Sequence, residues 1–216
     1  ATNYSSVCLA TLCHGTVNVT SALRSMEYDM MYNDLQCCGN GHRDNILDPN
    51  HTSVSIGISY NSSRIYLTQD FIDDYISWAA GPGYAANGEV TLQGQTGGGT
   101  GMDSIEISYD PPIANMTRAQ LNATTDYGYG NPIAGVVSNP SLYYSGITTI
   151  TADRYQVSGN QFDIRFNMQS LVNQYGAGEY TLLMFLNRTG APGSFLGSTY
   201  TIFINGQGAA YAPTNV

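Results

Sequence analysis

The side chains with the most chemistry in this 216-residue sequence are three histidines, four cysteines and a few closely spaced carboxylates. His42 stands in the run Gly41-His42-Arg43-Asp44-Asn45-Ile46-Leu47-Asp48-Pro49. An imidazole with a pKa near neutrality can relay a proton or ligate a metal, provided that partner groups lie within hydrogen-bond reach. Without such partners, a histidine in a turn orders its own loop by hydrogen bonding. That structural role is the reading adopted for His42, with metal ligation and acid–base catalysis as the alternatives. His51 lies inside the sequon Asn50-His51-Thr52 and reads as exposed. Asp70, Asp73 and Asp74 cluster without the regular ligand spacing of a calcium loop, so they read as a solvated acidic face. Cys8, Cys13, Cys37 and Cys38 all fall in the first 38 residues, and four cysteines allow three pairings. A bond between adjacent cysteines needs a distorted peptide, which favours two bridges from Cys37 and Cys38 back to Cys8 and Cys13. A zinc site would call for Cys-x-x-Cys spacing or a nearby His pair, and neither is present. No Gly-x-Ser-x-Gly, Walker loop, His-Glu-x-x-His or dinucleotide fingerprint occurs.

The rest of the composition points outside the cell. All seven cations are Arg, against 16 carboxylates, giving a net charge of −9 with no basic cluster. Such a chain has no electrostatic footprint for nucleic acid or for an anionic membrane surface. Charged residues make up only 11% of the sequence, so the polar surface falls to Ser, Thr, Asn, Gly and 17 Tyr. Asn-x-Ser/Thr sequons occur at Asn3, Asn18, Asn50, Asn61, Asn115, Asn122 and Asn187. Composition alone predicts roughly three, so seven argue for N-linked glycans on several of them. The sequence starts at Ala1 with no initiator Met, no basic leader and no long apolar run. It is therefore expected to be a processed, secreted chain without a membrane span.

The elements that must position these residues follow from periodicity. Leu23, Met26, Met30 and Met31 make one apolar stripe, predicting a helix over 19–35 with Thr20 or Ser21 as N-cap and a break at Asn40-Gly41. Val54, Ile56, Ile58 and Tyr60, then Ile65, Leu67, Gln69 and Phe71, alternate about a turn at 61–63 and predict a hairpin with one buried face. Residues 79–101 are rich in Gly, Pro, Ala and Gln and read as a linker carrying one short strand at 89–93. Beyond it, alternation at 105–109 and 162–168, an apolar run at 180–186 and a turn at 158–160 predict a β-sandwich over 102–206, followed by a tail at 207–216. The stretch from Tyr175 to Tyr180 resembles the corner that precedes the F strand of immunoglobulin-like domains, with Leu182 where a second Cys often stands.

The helix, the Gly41–Pro49 run, the hairpin and Tyr66-Leu67-Thr68-Gln69-Asp70-Phe71 together resemble the C-terminal half of the CAP superfamily, the cysteine-rich secretory, antigen 5 and pathogenesis-related proteins, in its prokaryotic Gly-His-Arg form. The resemblance covers residues 21–71. It implies a cleft of two histidines and two acidic residues, able in some members to hold a divalent metal. By that resemblance His42 matches the second cleft histidine, and Asp34, in Met31-Tyr32-Asn33-Asp34, stands at one acidic position. The family's upstream half, with its first helix, first histidine and Gly-Glu-Asn element, has no counterpart in the 20 residues ahead of the helix, where Gly15-Thr16-Val17-Asn18 lacks the Glu and His14 is no substitute.

The resulting expectation is an α+β partial CAP-like domain over 1–78 followed by an all-β immunoglobulin-like sandwich. Its function reads as an extracellular, glycosylated structural or interaction protein of a cell surface, self-assembling into filaments or completed by a retained N-terminal fragment. The alternatives are a metal-dependent hydrolase working from the CAP cleft and a secreted lipid-binding protein. A half-domain would leave the Val54-Ile56-Ile58 and Ile65-Leu67-Phe71 faces partly uncovered, which favours a partner chain.

Overall fold

The computed structural model describes residues 2–7, 18–61, 64–112, 115–123, 129–205 and 210–211. The chain divides into two compact units, 1–74 and 75–216.

The first unit contains β1 (Thr2–Val7), α1 (Val19–Tyr32), α2 (Asp34–Cys38), α3 (Gly41–Ile46), β2 (Ser53–Tyr60) and β3 (Arg64–Ile72). Helix α1 starts at Asn18, whose side-chain oxygen accepts the Ser21 N–H at 3.0 Å. The cap therefore lies two or three residues ahead of the Thr20 or Ser21 that the pattern suggests. The helical run expected to reach residue 35 breaks at Asn33 and resumes as α2. Gly39 and Asn40, at φ 61° and 70°, turn the backbone left-handed before α3. The strands form an antiparallel sheet in the order β1-β3-β2. Met26 and Met30 of α1 pack on Ile65 and Leu67 of β3, with Val19, Ala22, Leu23 and Ile46 around them. Residues directly opposite in an antiparallel pair share a face. The register Val54↔Phe71, Ile56↔Gln69, Ile58↔Leu67 and Tyr60↔Ile65 therefore puts the apolar row of β2 on the face that α1 covers over β3. Ile65 and Leu67 are buried, whereas Val54, Ile56, Ile58 and Tyr60 are 46–62% exposed.

The second unit contains β4 (Ile76–Tyr84), β5 (Glu89–Thr96), β6 (Thr100–Asp110), α4 (Arg118–Ala123), β7 (Pro132–Val137), β8 (Thr148–Thr151), β9 (Arg154–Ser158), β10 (Gln161–Asn167), α5 (Gln169–Tyr175), β11 (Gly178–Arg188), β12 (Ser194–Ile204) and β13 (Ala210–Tyr211). One sheet runs β4-β5-β10-β9 and the other β13-β12-β11-β6-β7-β8, antiparallel except for the β7–β8 pair. Val90, Leu92, Phe162, Ile164 and Phe166 from the first sheet share a core with Ile105, Ile107, Leu182, Met184 and Ile202 from the second. Strand β11 is buried along most of its length because it lies between β12 and β6, which explains its unbroken apolar run. At the corner ahead of it, the Tyr180 hydroxyl donates to the Gly176 carbonyl at 2.7 Å and the Tyr109 hydroxyl to that of Ala177 at 2.7 Å.

Two expectations are corrected by this architecture. The described residues are half strand and about one-fifth helix, arranged in three sheets, and the chain is not an α+β CAP-like domain followed by an immunoglobulin-like sandwich. The physical reason lies in the first unit, where α1 is a single 14-residue helix followed by two short ones, too little to layer both faces of a sheet. The second correction concerns 79–101, which is not a linker. Its residues build β4, β5 and the start of β6, so the β-sheet unit opens at Tyr75 and not at 102. The glycines that suggested flexibility include Gly94, where a Cβ would stand 2.6 Å from the Ser77 carbonyl and 3.1 Å from the Phe162 ring. That residue serves close packing between β4 and β10.

Candidate functional site

His42 and Asp34, eight residues apart, are brought into contact by the α2–α3 turn. Asp34 opens α2 and is 2% exposed. The left-handed pair Gly39 and Asn40 folds the start of α3 back over it. Asp34 Oδ2 accepts the backbone N–H of His42 at 2.8 Å and of Arg43 at 3.3 Å, while Oδ1 lies 2.6 Å from His42 Nδ1. The carboxylate thus caps two N–H groups of α3 and grips the imidazole. Burial acts to raise the Asp34 pKa. The His42 side-chain hydrogen bond and the two backbone N–H groups together outweigh it, so the group ionises below its ordinary range. The same contact orients the His42 ring through its Nδ1 edge.

The neighbouring sulfurs do not add a metal-binding set. Asp34, Cys37 and Cys38 place one ligand atom each within 4.8 Å of one another. The two sulfurs, however, form a disulfide with each other and have no thiolate to offer. Asp34 in turn already accepts three donors. The divalent metal that the resemblance implied at His42 therefore finds no fitting donor set among the described residues. The Cys37–Cys38 bond also departs from the expected bridges back to Cys8 and Cys13; those two residues, like His14, lie outside the described residues.

A second histidine–carboxylate pair was not legible from motif. His51 Nδ1 lies 2.8 Å from Asp73 Oδ1, its Nε2 lies 3.3 Å from Asn45 Oδ1, and its ring stacks on Phe71 at 4.8 Å. The hairpin register is the signal that could have found it. With Ser53 opposite Ile72, the residues just before β2 and just after β3 must meet. His51 is thus half-buried rather than exposed, and the acidic cluster is split: Asp73 is engaged, while Asp70 and Asp74 face solvent. The pair straps the open end of the hairpin to α3.

Four of the seven sequon asparagines are exposed, two in each unit. Asn18, Asn61, Asn115 and Asn187 are exposed and Asn50 is half-buried. Asn3 lies in β1, opposite Thr68, and the side chain of Asn122 is outside the described residues. The cap of α1 uses the Asn18 oxygen, which leaves its nitrogen, the atom a glycan modifies, pointing elsewhere. No helix among the described residues is long and apolar enough to cross a membrane. No family model, curated protein or solved structure matches the chain. The likeness to the CAP superfamily accordingly rests on the residues of the Gly41–Pro49 run and their neighbours alone.

Proposed function

We propose that this chain is an extracellular, N-glycosylated structural or interaction protein that performs no catalysis. The observation that carries the proposal is the distribution of the sequons: exposed asparagines in Asn-x-Ser/Thr context occur on both units, at Asn18 and Asn61 in the first and Asn115 and Asn187 in the second. A surface with few charges, rich in Tyr, Ser, Thr and Asn, is consistent with solubility supplied partly by glycans. The role of Asp34 supports the non-catalytic half. Its oxygens are occupied in capping α3, so the Asp34–His42 pair works as a strut. Peptide mapping of native material tests the reading; glycan on several of the seven asparagines is the expected result, and seven unmodified asparagines would overturn it.

The hydrolase reading retains one observation in its favour, the carboxylate-oriented imidazole of His42. His42→Ala decides between the two. Under the structural reading it loosens the α2–α3 turn and abolishes no turnover, whereas a hydrolytic activity of the chain that vanished in this variant would establish the enzyme.

A further inference from the structure

We infer that β2 is the seat of a symmetric contact with a second copy of this chain, in which two β2 strands pair antiparallel about Gly57. The inference deepens the reading as an interaction protein and rests on it for its biological setting. Three features of the strand carry it.

First, β2 is the outer strand of the order β1-β3-β2, so its far edge has no strand partner among the described residues. The eight residues from Ser53 to Tyr60 include no charge and no proline, the features that ordinarily blunt an exposed edge. Every one of them is exposed.

Second, the strand is complementary to itself. Val54-Ser55-Ile56-Gly57-Ile58-Ser59-Tyr60 reads nearly the same in both directions from Gly57. A two-fold axis through Gly57 sets Ile56 opposite Ile58, Ser55 opposite Ser59 and Val54 opposite Tyr60. All the apolar side chains then fall on one face and all the serines on the other, with no slip in register. Any register shifted by one residue would oppose serines to isoleucines.

Third, the covering helices come to the right spacing. In the pair, two β3 strands are separated by three strand intervals of about 4.8 Å, so the α1 helices above them stand about 14 Å apart. A helix with its side chains is about 10–12 Å across, so the two helices leave a slot only a few ångströms wide over the joined rows. The four apolar residues of β2, 46–62% exposed, offer roughly 400 Å² per copy, so a pair brings about 800 Å² of apolar surface to the contact, most of the ~1,000 Å² that a specific interface requires.

The test is sedimentation of the full chain, with charge substitutions placed by the register. The wild-type chain is expected to sediment as a dimer. I56K/I58K sets like charges directly opposite each other twice and is expected to weaken association by roughly tenfold or more, whereas I56K/I58E sets opposite charges across the axis and is expected to recover it. Both positions are exposed in the single chain, and unchanged helical circular dichroism shows that the variants fold. Gly57→Cys, whose Cβ would meet only Thr68 at 3.7 Å, is expected to cross-link to its counterpart, and Ser55→Cys is not. A monomeric wild-type chain, a dimer indifferent to I56K/I58K, cross-linking of Ser55→Cys as readily as Gly57→Cys, or a different polypeptide seated on β2 would each overturn the inference. A glycosylated monomer would sink this contact and leave the extracellular reading standing; an unglycosylated dimer would do the reverse.

Discussion

Replacing Asp34 with Ala should unfold the first unit selectively. The carboxylate is 2% exposed and receives two backbone N–H groups and one imidazole nitrogen. Its removal leaves the two N–H groups at the start of α3 without acceptors and the His42 ring without an anchor. A hydrogen bond to a charged group contributes about 1.5–3 kcal/mol, and a buried donor left unpaired costs about 1–3 kcal/mol. His42 is 18% exposed, so water rescues part of the loss at the ring, which brings the total to about 3 kcal/mol. For a unit of this size that is a fall in Tm of about 15 °C. Two probes separate the units: far-ultraviolet helical ellipticity is dominated by α1, α2 and α3, with a smaller part from α4 and α5, while Trp78, the sole tryptophan, reports on the second unit alone. The helical transition should drop while the Trp78 fluorescence transition stays in place. Asp34→Asn, which keeps one acceptor oxygen, should lose about half as much. A helical transition displaced by less than about 0.5 kcal/mol, or a Trp78 transition that moves with it, would refute the reasoning.

The lowered Asp34 pKa gives an acid limb of defined sign. Its contribution is complete above the ordinary value of 3.8 and is lost as pH falls through the lower folded value, so acid titration of helical ellipticity should show a limb that Asp34→Ala lacks. In the second unit, burial, followed by the neighbouring Tyr109, raises the Tyr180 pKa; stability from that group is complete below its ordinary 10.0 and lost as pH rises through the folded value. Tyr180→Phe removes the hydroxyl bond to Gly176 and should cost about 1–2 kcal/mol, read by Trp78 fluorescence in denaturant. Gly94→Val forces a side chain against the Ser77 carbonyl and should cost about 2 kcal/mol or more by the same assay; an unchanged midpoint would remove the packing argument for that glycine.

Much of the fold is legible where one side of an element meets one environment. The stripe of α1, the alternation of β3 and β10, and the unbroken run of β11 all state their burial in sequence, whereas β2 alternates in the same way and is exposed throughout. The 79–101 segment misleads because glycine is ambiguous. It marks a flexible chain when nothing presses on it, and close approach when a neighbouring backbone does, and only tertiary structure distinguishes the two. The α3 helix is hidden for a related reason: six residues give too few turns for a stripe, and the cap that holds it comes from Asp34, outside its own sequence. The site was half legible. His42 and Asp34 were named through a resemblance, but the pattern gave no sign that the carboxylate would be occupied by backbone donors, because that depends on the left-handed pair Gly39 and Asn40.

The distribution of apolar burial ties the strut to the proposed contact. Among the described residues, the first unit's core holds four buried apolar side chains, Met26, Met30, Ile65 and Leu67, against twenty-one in the core of the second. A small core leaves little surplus over conformational entropy, and units of this kind lean on covalent staples, polar anchors or association. The first unit shows the last two: the carboxylate strut at Asp34 and the His51–Asp73 strap, together with an uncovered row on β2 that association would bury; the Cys37–Cys38 bond joins adjacent residues and closes no loop. If a second copy covers that row, the melting of α1 through α3 must depend on protein concentration while the Trp78 transition does not, because only the dimer completes the first unit's core. A helical transition independent of concentration over about a hundredfold range would mean that the strut and the strap suffice by themselves.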